Sequence, residues 1–503
     1  MLRRTITIVI SFALVAAACS GGDDAEPTTT AVTATTTADT PNTTAADTTT
    51  ATTLAPDGGV PGLQAAECPH EVPAGVDVEC GWLFVPENRS DPDSAEIALA
   101  LAVVHPDGPV TGVPVVYLAG GPGGSALSDY EVDPEGWRYP FLEGRQMVLV
   151  DQRGTGYSQP TLDCPELADE SLVPADAERA CFDRLVADGI DISGYTTAEN
   201  AADIADLRVA LGVDEWNLFG VSYGTRLALD VMRFHPEGIR SVILDSPFPP
   251  NADTPLGEAT SFIDAFEQLL ADCESDAYCS EEYPDLVDVF LDTVAALNED
   301  PDEITGDDLV VGLSQAFQST GSVELVPLAI YDAADGDFDA FFEIGGGGEG
   351  AARFQSEDVS DSEGMYNSVI CNDEYDETDF DRVEPLVVGS IPPELESALL
   401  QSQFELSNTC SYWAPNTPTD NSVVVSDIPT IVLVGQYDTA TPPEWAGLAA
   451  EGLSTAYVFE IPGHGHSVVI EGCPVDLVTQ FLDDPFTEPD GSCLQDIEWP
   501  SFE

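Results

Sequence analysis

The residues most able to do chemistry lie in Gly220-Val221-Ser222-Tyr223-Gly224, a serine with a glycine two positions away on either side. An apolar run, Asn217 to Val221, precedes it, and a stretch of helical spacing runs from about Tyr223 to His235. A serine held at a sharp strand-to-helix turn needs small neighbours, and the helix N-terminus behind it favours a developing negative charge. That is the pattern of an acyl-transfer nucleophile. A serine hydroxyl is a weak nucleophile, so it needs a base, and the base needs an acid to orient it. The chain has five histidines: His70, His105, His235, His464 and His466. The first three fall before the expected sheet, at the end of an edge strand and at the end of the helix after the serine. His464 and His466 share one loop, Ile461-Pro462-Gly463-His464-Gly465-His466-Ser467, after a late apolar strand, where a base belongs. Asp438 follows the preceding strand, in Val434-Gly435-Gln436-Tyr437-Asp438, and completes the order serine, acid, histidine.

The tetrahedral oxyanion of acyl transfer needs donors as well. Leu118-Ala119-Gly120-Gly121-Pro122-Gly123-Gly124 follows an early buried strand, and its glycines let backbone N–H groups approach a substrate carbonyl. Gly121 and Tyr223 are the expected donors. A phosphate-cradling loop is excluded by the spacing and by the absence of any lysine. Ser222 attack with His466 as base requires no metal or organic cofactor.

The elements that must position these residues alternate between strands and helices. Gly81 to Pro86 and Ala95 to His105 read as an edge hairpin; Val113 to Leu118, Gln146 to Val150, Asn217 to Val221 and Ser241 to Leu244 read as buried strands. Asn200 to Leu211 repeats Ala and Leu at helical spacing. This rhythm predicts a mostly parallel α/β sheet flanked by helices. It breaks from about 250 to 420, where helical patterns recur without strands, and resumes at Thr430 to Val434, Ala456 to Ile461 and Val475 to Leu482. The expected organisation is a core over 63–250 and 421–503, with an inserted, mainly helical cap over 251–420.

Several motifs together carry a family resemblance. The loop Gly120-Gly121-Pro122-Gly123-Gly124, the segment Asp151-Gln152-Arg153-Gly154-Thr155-Gly156-Tyr157-Ser158, the serine turn, and Asp438 within Tyr437-Asp438-Thr439-Ala440-Thr441-Pro442 occur in that order. The chain thereby resembles the prolyl and tripeptidyl aminopeptidase group of α/β-hydrolases, especially secreted actinobacterial members. The resemblance implies the α/β-hydrolase fold, and His466 rather than His464 as base. It also implies acidic cap residues that receive the α-ammonium group of a peptide. Asp373 and Glu374, beside Cys371, are the candidates. Ala119 stands where the family often has His, but the oxyanion donors are backbone groups.

Composition sets the surroundings. Of 503 residues, 92 are acidic and 14 basic, a formal net charge of −78, which disfavours nucleic acid and anionic lipid surfaces as partners. Such acidity fits either a solvated surface or adaptation to high salt. The N-terminus carries a positive start, Met1-Leu2-Arg3-Arg4, a short apolar stretch from Thr5 to Ala18, then Cys19. Residues 1–18 read as a signal peptide and Cys19 as a lipidation site, with simple cleavage after Ala18 as the alternative. Residues 19–62, rich in Thr and Ala, read as a disordered linker. The expected setting is extracytoplasmic, lipid-anchored to the membrane or secreted. The remaining ten cysteines predict five sequential disulfides: Cys68–Cys80, Cys164–Cys181, Cys273–Cys279, Cys371–Cys410 and Cys473–Cys493. The function expected is an exported serine hydrolase acting on a peptide or small ester. An aminopeptidase leads; a carboxylesterase or lipase-like hydrolase and a catalytically silent, lipid-anchored binding protein are the alternatives.

Overall fold

A computed structural model describes residues 62–497 except 71, 73–74, 133–139, 170, 302, 346–360, 376–377 and 414–418, and also describes 500 and 502. The signal segment, Cys19 and the linker up to residue 61 lie outside the described residues. All described residues belong to one compact unit.

Among the described residues nine strands form one sheet: β1 (Leu63–Ala66), β2 (Val78–Pro86), β3 (Glu96–Val104), β4 (Val115–Leu118), β5 (Met147–Val150), β6 (Trp216–Val221), β7 (Ile239–Asp245), β8 (Thr430–Gly435) and β9 (Ala456–Ile461). Their spatial order is β1-β2-β3-β5-β4-β6-β7-β8-β9. The first three strands run antiparallel and β3 meets β5 antiparallel; from β5 to β9 every neighbour is parallel. The central strands β4, β5 and β8 are buried along their whole length, which is why they read as unbroken apolar runs rather than alternating ones. The helices Thr197–Leu211 and Tyr223–Phe234 pack on this sheet and bury Leu207, Leu227 and Val231 against Leu118 and Leu218.

Between β7 and β8 the chain leaves the sheet for a run of helices, from Thr254–Ser275 to Glu396–Trp413. They have a core of their own around Phe262, Phe266, Phe290 and Phe317. Tyr437, from the loop after β8, joins that core by stacking on Phe317 at 5.8 Å between ring centroids. The residue immediately before Asp438 is thus clamped by the helical insertion. Among the described residues no helix is long and apolar enough to cross a membrane.

All five expected disulfides are the pairs that form. Together they point to an oxidising, extracytoplasmic compartment. Cys371–Cys410 joins two helices of the insertion, Glu363–Asp373 and Glu396–Trp413.

Candidate active site

Ser222 directly follows β6 and caps the helix Tyr223–Phe234 with φ 54° and ψ −124°, a conformation few side chains tolerate. Its neighbours explain the glycines. A Cβ on Gly220 would strike the carbonyl of Gly224, and one on Gly224 would strike the carbonyl of Leu118. The turn is pinned from the adjacent strand, where the Asp245 carbonyl accepts the Ser222 N–H at 2.9 Å.

Asp438 is buried, with 1% of its surface exposed. Its carboxylate accepts the N–H groups of Ala440 and Thr441, each at 2.9 Å, and the Thr441 hydroxyl at 2.8 Å. The remaining contact is His466, whose Nδ1 lies 2.8 and 3.0 Å from the two carboxylate oxygens. Burial works to raise the Asp438 pKa, but the charge and hydrogen bond of His466, with those of Thr441, hold it below the ordinary carboxylate value. An ionised carboxylate only accepts, so Nδ1 carries the proton and Nε2 is left as the basic atom. His464 turns away: its Nδ1 donates to the Pro462 carbonyl at 2.8 Å. Of the two histidines on this loop, only His466 is engaged with Asp438. The helical insertion holds the loop too, for the Gln318 carbonyl accepts the His466 N–H at 2.8 Å.

The glycine loop presses on Ser222. A Cβ on Gly120 would lie 3.0 Å from the Ser222 Cβ and 3.6 Å from its Oγ, and Gly121 takes φ +107°, which only glycine adopts readily. The segment beginning Asp151-Gln152 brackets the loop. Gln152 donates to the Ala119 carbonyl at 2.9 Å just before it. Asp151 accepts from the Ser125 hydroxyl at 2.9 Å and the Leu127 N–H at 3.0 Å just after it. Tyr223, first in its helix, is buried, with its hydroxyl 3.0 Å from that of Thr197. A serine on a strained turn, an acid-held imidazole and an adjoining glycine loop can together carry out acyl transfer to water.

Comparison with known proteins agrees. Residues 113–292 match the family described as alpha/beta hydrolase fold, and residues 397–493 match the one described as TAP-like protein. Serine protease Hip1 of Mycobacterium tuberculosis is 28% identical over 469 residues, which covers 82% of this chain and 86% of that protein. This chain is an α/β-hydrolase of the prolyl and tripeptidyl aminopeptidase group. A proline iminopeptidase of Xylella fastidiosa is 33% identical over 135 residues, 26% of this chain and 32% of that protein. The crystal structure of proline iminopeptidase from Mycobacterium smegmatis is 16% identical, covers 80% of this chain and 98% of its own, and has a TM-score of 0.40.

The two acids expected to bind an ammonium group in this hydrolase have other partners. Asp373 is buried; it accepts the Thr197 N–H at 2.9 Å and the Thr419 hydroxyl at 2.9 Å. Glu374 meets the buried Arg226 at 2.5 Å and accepts from the Thr254 hydroxyl at 2.8 Å. Burial outweighs Arg226 and pushes Glu374 up to about 7. Both carboxylates tie the insertion to the helices on the sheet. Both are therefore already engaged with protein groups, Asp373 by hydrogen bonds and Glu374 by its ion pair with Arg226.

Glu363 was not singled out from sequence, and it differs from both. It opens the helix Glu363–Asp373, next to Ser362, whose N–H donates to the Gly123 carbonyl at 3.0 Å. The backbone at the start of this helix therefore adjoins the glycine loop. Its Oε2 is buried with no hydrogen-bond partner among the described residues. Burial first, then the charges of Glu178 and Asp361, push it up to about 8. A second acid, Glu258, accepts from the Tyr375 hydroxyl at 2.6 Å, and burial raises its pKa as well.

Proposed function

We propose that this hydrolase is an exported aminopeptidase that releases residues from peptide N-termini through an acyl-enzyme on Ser222. His466 takes the serine proton on Nε2 while Asp438 holds Nδ1–H. The N–H groups of Gly121 and Tyr223 receive the oxyanion. The imidazolium then protonates the leaving amine, and His466 activates the water that frees the acyl group. Cys19 tethers the enzyme to the membrane through its lipid, with residues up to about 62 as the spacer.

The observation that carries the exopeptidase reading is Glu363. A carboxyl kept from water, with one oxygen unpartnered and with Glu178 and Asp361 repelling its charge, is at a disadvantage until a cation arrives. A peptide α-ammonium bound there would ionise it and gain charge-assisted hydrogen bonds. The bond between Ser362 and Gly123, one residue before it, supports a cation site on the glycine-loop side of the centre. The test is paired. Wild type should cleave a chromogenic peptide with a free N-terminus about 10- to 100-fold better than its N-acetylated form, the range expected of one hydrogen bond to a charged group. Glu363→Gln should erase most of that preference, whereas Glu374→Gln should keep it. Equal cleavage of both peptides by wild type, or stronger turnover of short-chain esters, would replace the aminopeptidase with an esterase.

A further inference from the structure

A second carboxylate lies next to the base, and no step above uses it. Asp245 is the last residue of β7 and is buried, with 1% of its surface exposed. Its two oxygens accept the N–H groups of Val468 and Val469, each at 2.9 Å. The next residue, Ser246, accepts the Ser467 N–H on its hydroxyl at 2.8 Å. Three consecutive amides directly after His466 thus end on two consecutive side chains, the last of β7 and the one after it. Ser467 takes φ 64°, a conformation the chain does not hold without such anchoring. The backbone of the same aspartate holds the nucleophile, because its carbonyl accepts the Ser222 N–H at 2.9 Å.

We propose that Asp245, with Ser246, is a positioning residue that fixes His466 relative to Ser222 and stabilises the imidazolium formed during catalysis. The inference rests on Ser222 and His466 acting as nucleophile and base. One residue fastens both partners of the proton transfer, the serine through its main chain and the histidine loop through its side chain. An error in one is thereby shared by the other, and the distance between them is held. The titratable groups that act on Asp245 are His466, which attracts its charge, and Asp438, which repels it. Burial is the largest influence and pushes it up to about 6. The two acids therefore differ in role. Asp438 is bonded to the imidazole ring, whereas Asp245 is bonded to the loop that carries the ring and adds its charge from that side.

The sign of the electrostatic effect follows. A negative charge near an imidazolium favours the protonated ring. Removing that charge lets the ring lose its proton at lower pH. The acid limb of kcat/KM should therefore move to lower pH by about one unit in Asp245→Asn. Loosening the loop should also lower kcat about tenfold with KM nearly unchanged, because misplacement by a fraction of an ångström impairs proton transfer more than binding. Ser246→Ala loosens the same loop without a change of charge, so kcat should fall while the acid limb stays in place.

The experiment measures kcat and KM for both variants from pH 4.5 to 9 on the purified chain, with a thermal melt to confirm folding and Ser222→Ala as control. A wild-type kcat in Asp245→Asn, or a reduced kcat with an unshifted acid limb, overturns the proposal. If Asp245→Asn does not fold, Ser246→Ala still decides: an unchanged kcat there overturns it. Persistent turnover in Ser222→Ala would instead sink the underlying assignment of the nucleophile, so the two failures are distinguishable.

Discussion

Replacing Asp438 by Asn tests the site through its hydrogen bonds while nearly preserving shape. The Asn oxygen can keep the Ala440 and Thr441 N–H groups, both at 2.9 Å. Its amide nitrogen then faces His466 Nδ1, where a carboxylate oxygen stood at 2.8 Å. An amide nitrogen donates and cannot accept, so Nδ1 must give up its proton and Nε2 must carry it. The atom meant to take the Ser222 proton is thereby blocked. For a triad of this kind the loss is about 10⁴-fold in kcat, or about 5.5 kcal/mol at 1.36 kcal/mol per decade. Asp438 is buried under Thr441 and Tyr437 and is placed to touch no substrate, so KM should change little. The assay is steady-state hydrolysis of a chromogenic peptide, with a melting curve to show that the variant folds. A folded Asp438→Asn enzyme that loses less than tenfold would refute the assignment of Asp438 as the orienting acid.

Ser222→Ala should abolish labelling by a fluorophosphonate and essentially all turnover, yet melt within a degree or two of wild type, because alanine fits the same turn; retained turnover would contradict it. Stability should fall as pH rises through neutrality. Asp151, Asp230 and Asp245 are each pushed up to about 6, Glu374 to about 7 and Glu363 to about 8, in every case first by burial. Each binds its proton more tightly folded than unfolded. The stabilisation is therefore complete below the ordinary carboxylate range near 4 and is lost as pH passes these values. Differential scanning calorimetry at constant salt should show a midpoint several degrees lower at pH 8.5 than at pH 5.5, and a midpoint that rises over that window would contradict the burial argument.

The serine turn and the strands around it were legible because they are written in local rules. The glycines around Ser222 answer to clashes within one turn, and the fully buried strands announce themselves as short apolar runs. Five histidines left few places for a base. The disulfides were legible for a related reason, since each joins neighbouring cysteines in sequence. The partners of the cap acids were not legible. Asp373 and Glu374 lie beside Cys371 in sequence, but the side chain of one reaches Thr197 and that of the other reaches Arg226, contacts between distant segments that no local pattern encodes. Glu363 carries no local signal at all, because what sets it apart is the contact of Ser362 with Gly123. Asp245 was missed by one residue. The apolar run ends at Leu244, whereas β7 continues through Asp245, although aspartate is a poor strand former.

The charge balance has a consequence inside the fold as well as on its surface. With 14 arginines and no lysine among 503 residues, cations are too few to pair every buried acid. Arg153 and Arg226 are fully buried, and they serve Asp203 and Glu374 respectively. Three further buried acids turn to neutral donors. Asp151 takes Ser125, Leu127 and Tyr157; Asp245 takes Val468 and Val469; Asp373 takes Thr197 and Thr419. Backbone N–H groups and hydroxyls satisfy a carboxylate's geometry without fully offsetting the cost of removing its charge from water. That is why burial still leads for Asp151 and Asp245, both near 6. Asp438 is equally buried and also accepts neutral donors, yet it falls below its ordinary value, because it alone of these three is bonded to the His466 ring. In a protein so poor in cations, the direction of the shift separates the acid that orients the base from those that hold its loops. It also requires that Asp438 stay ionised in mild acid where Asp245 takes up a proton.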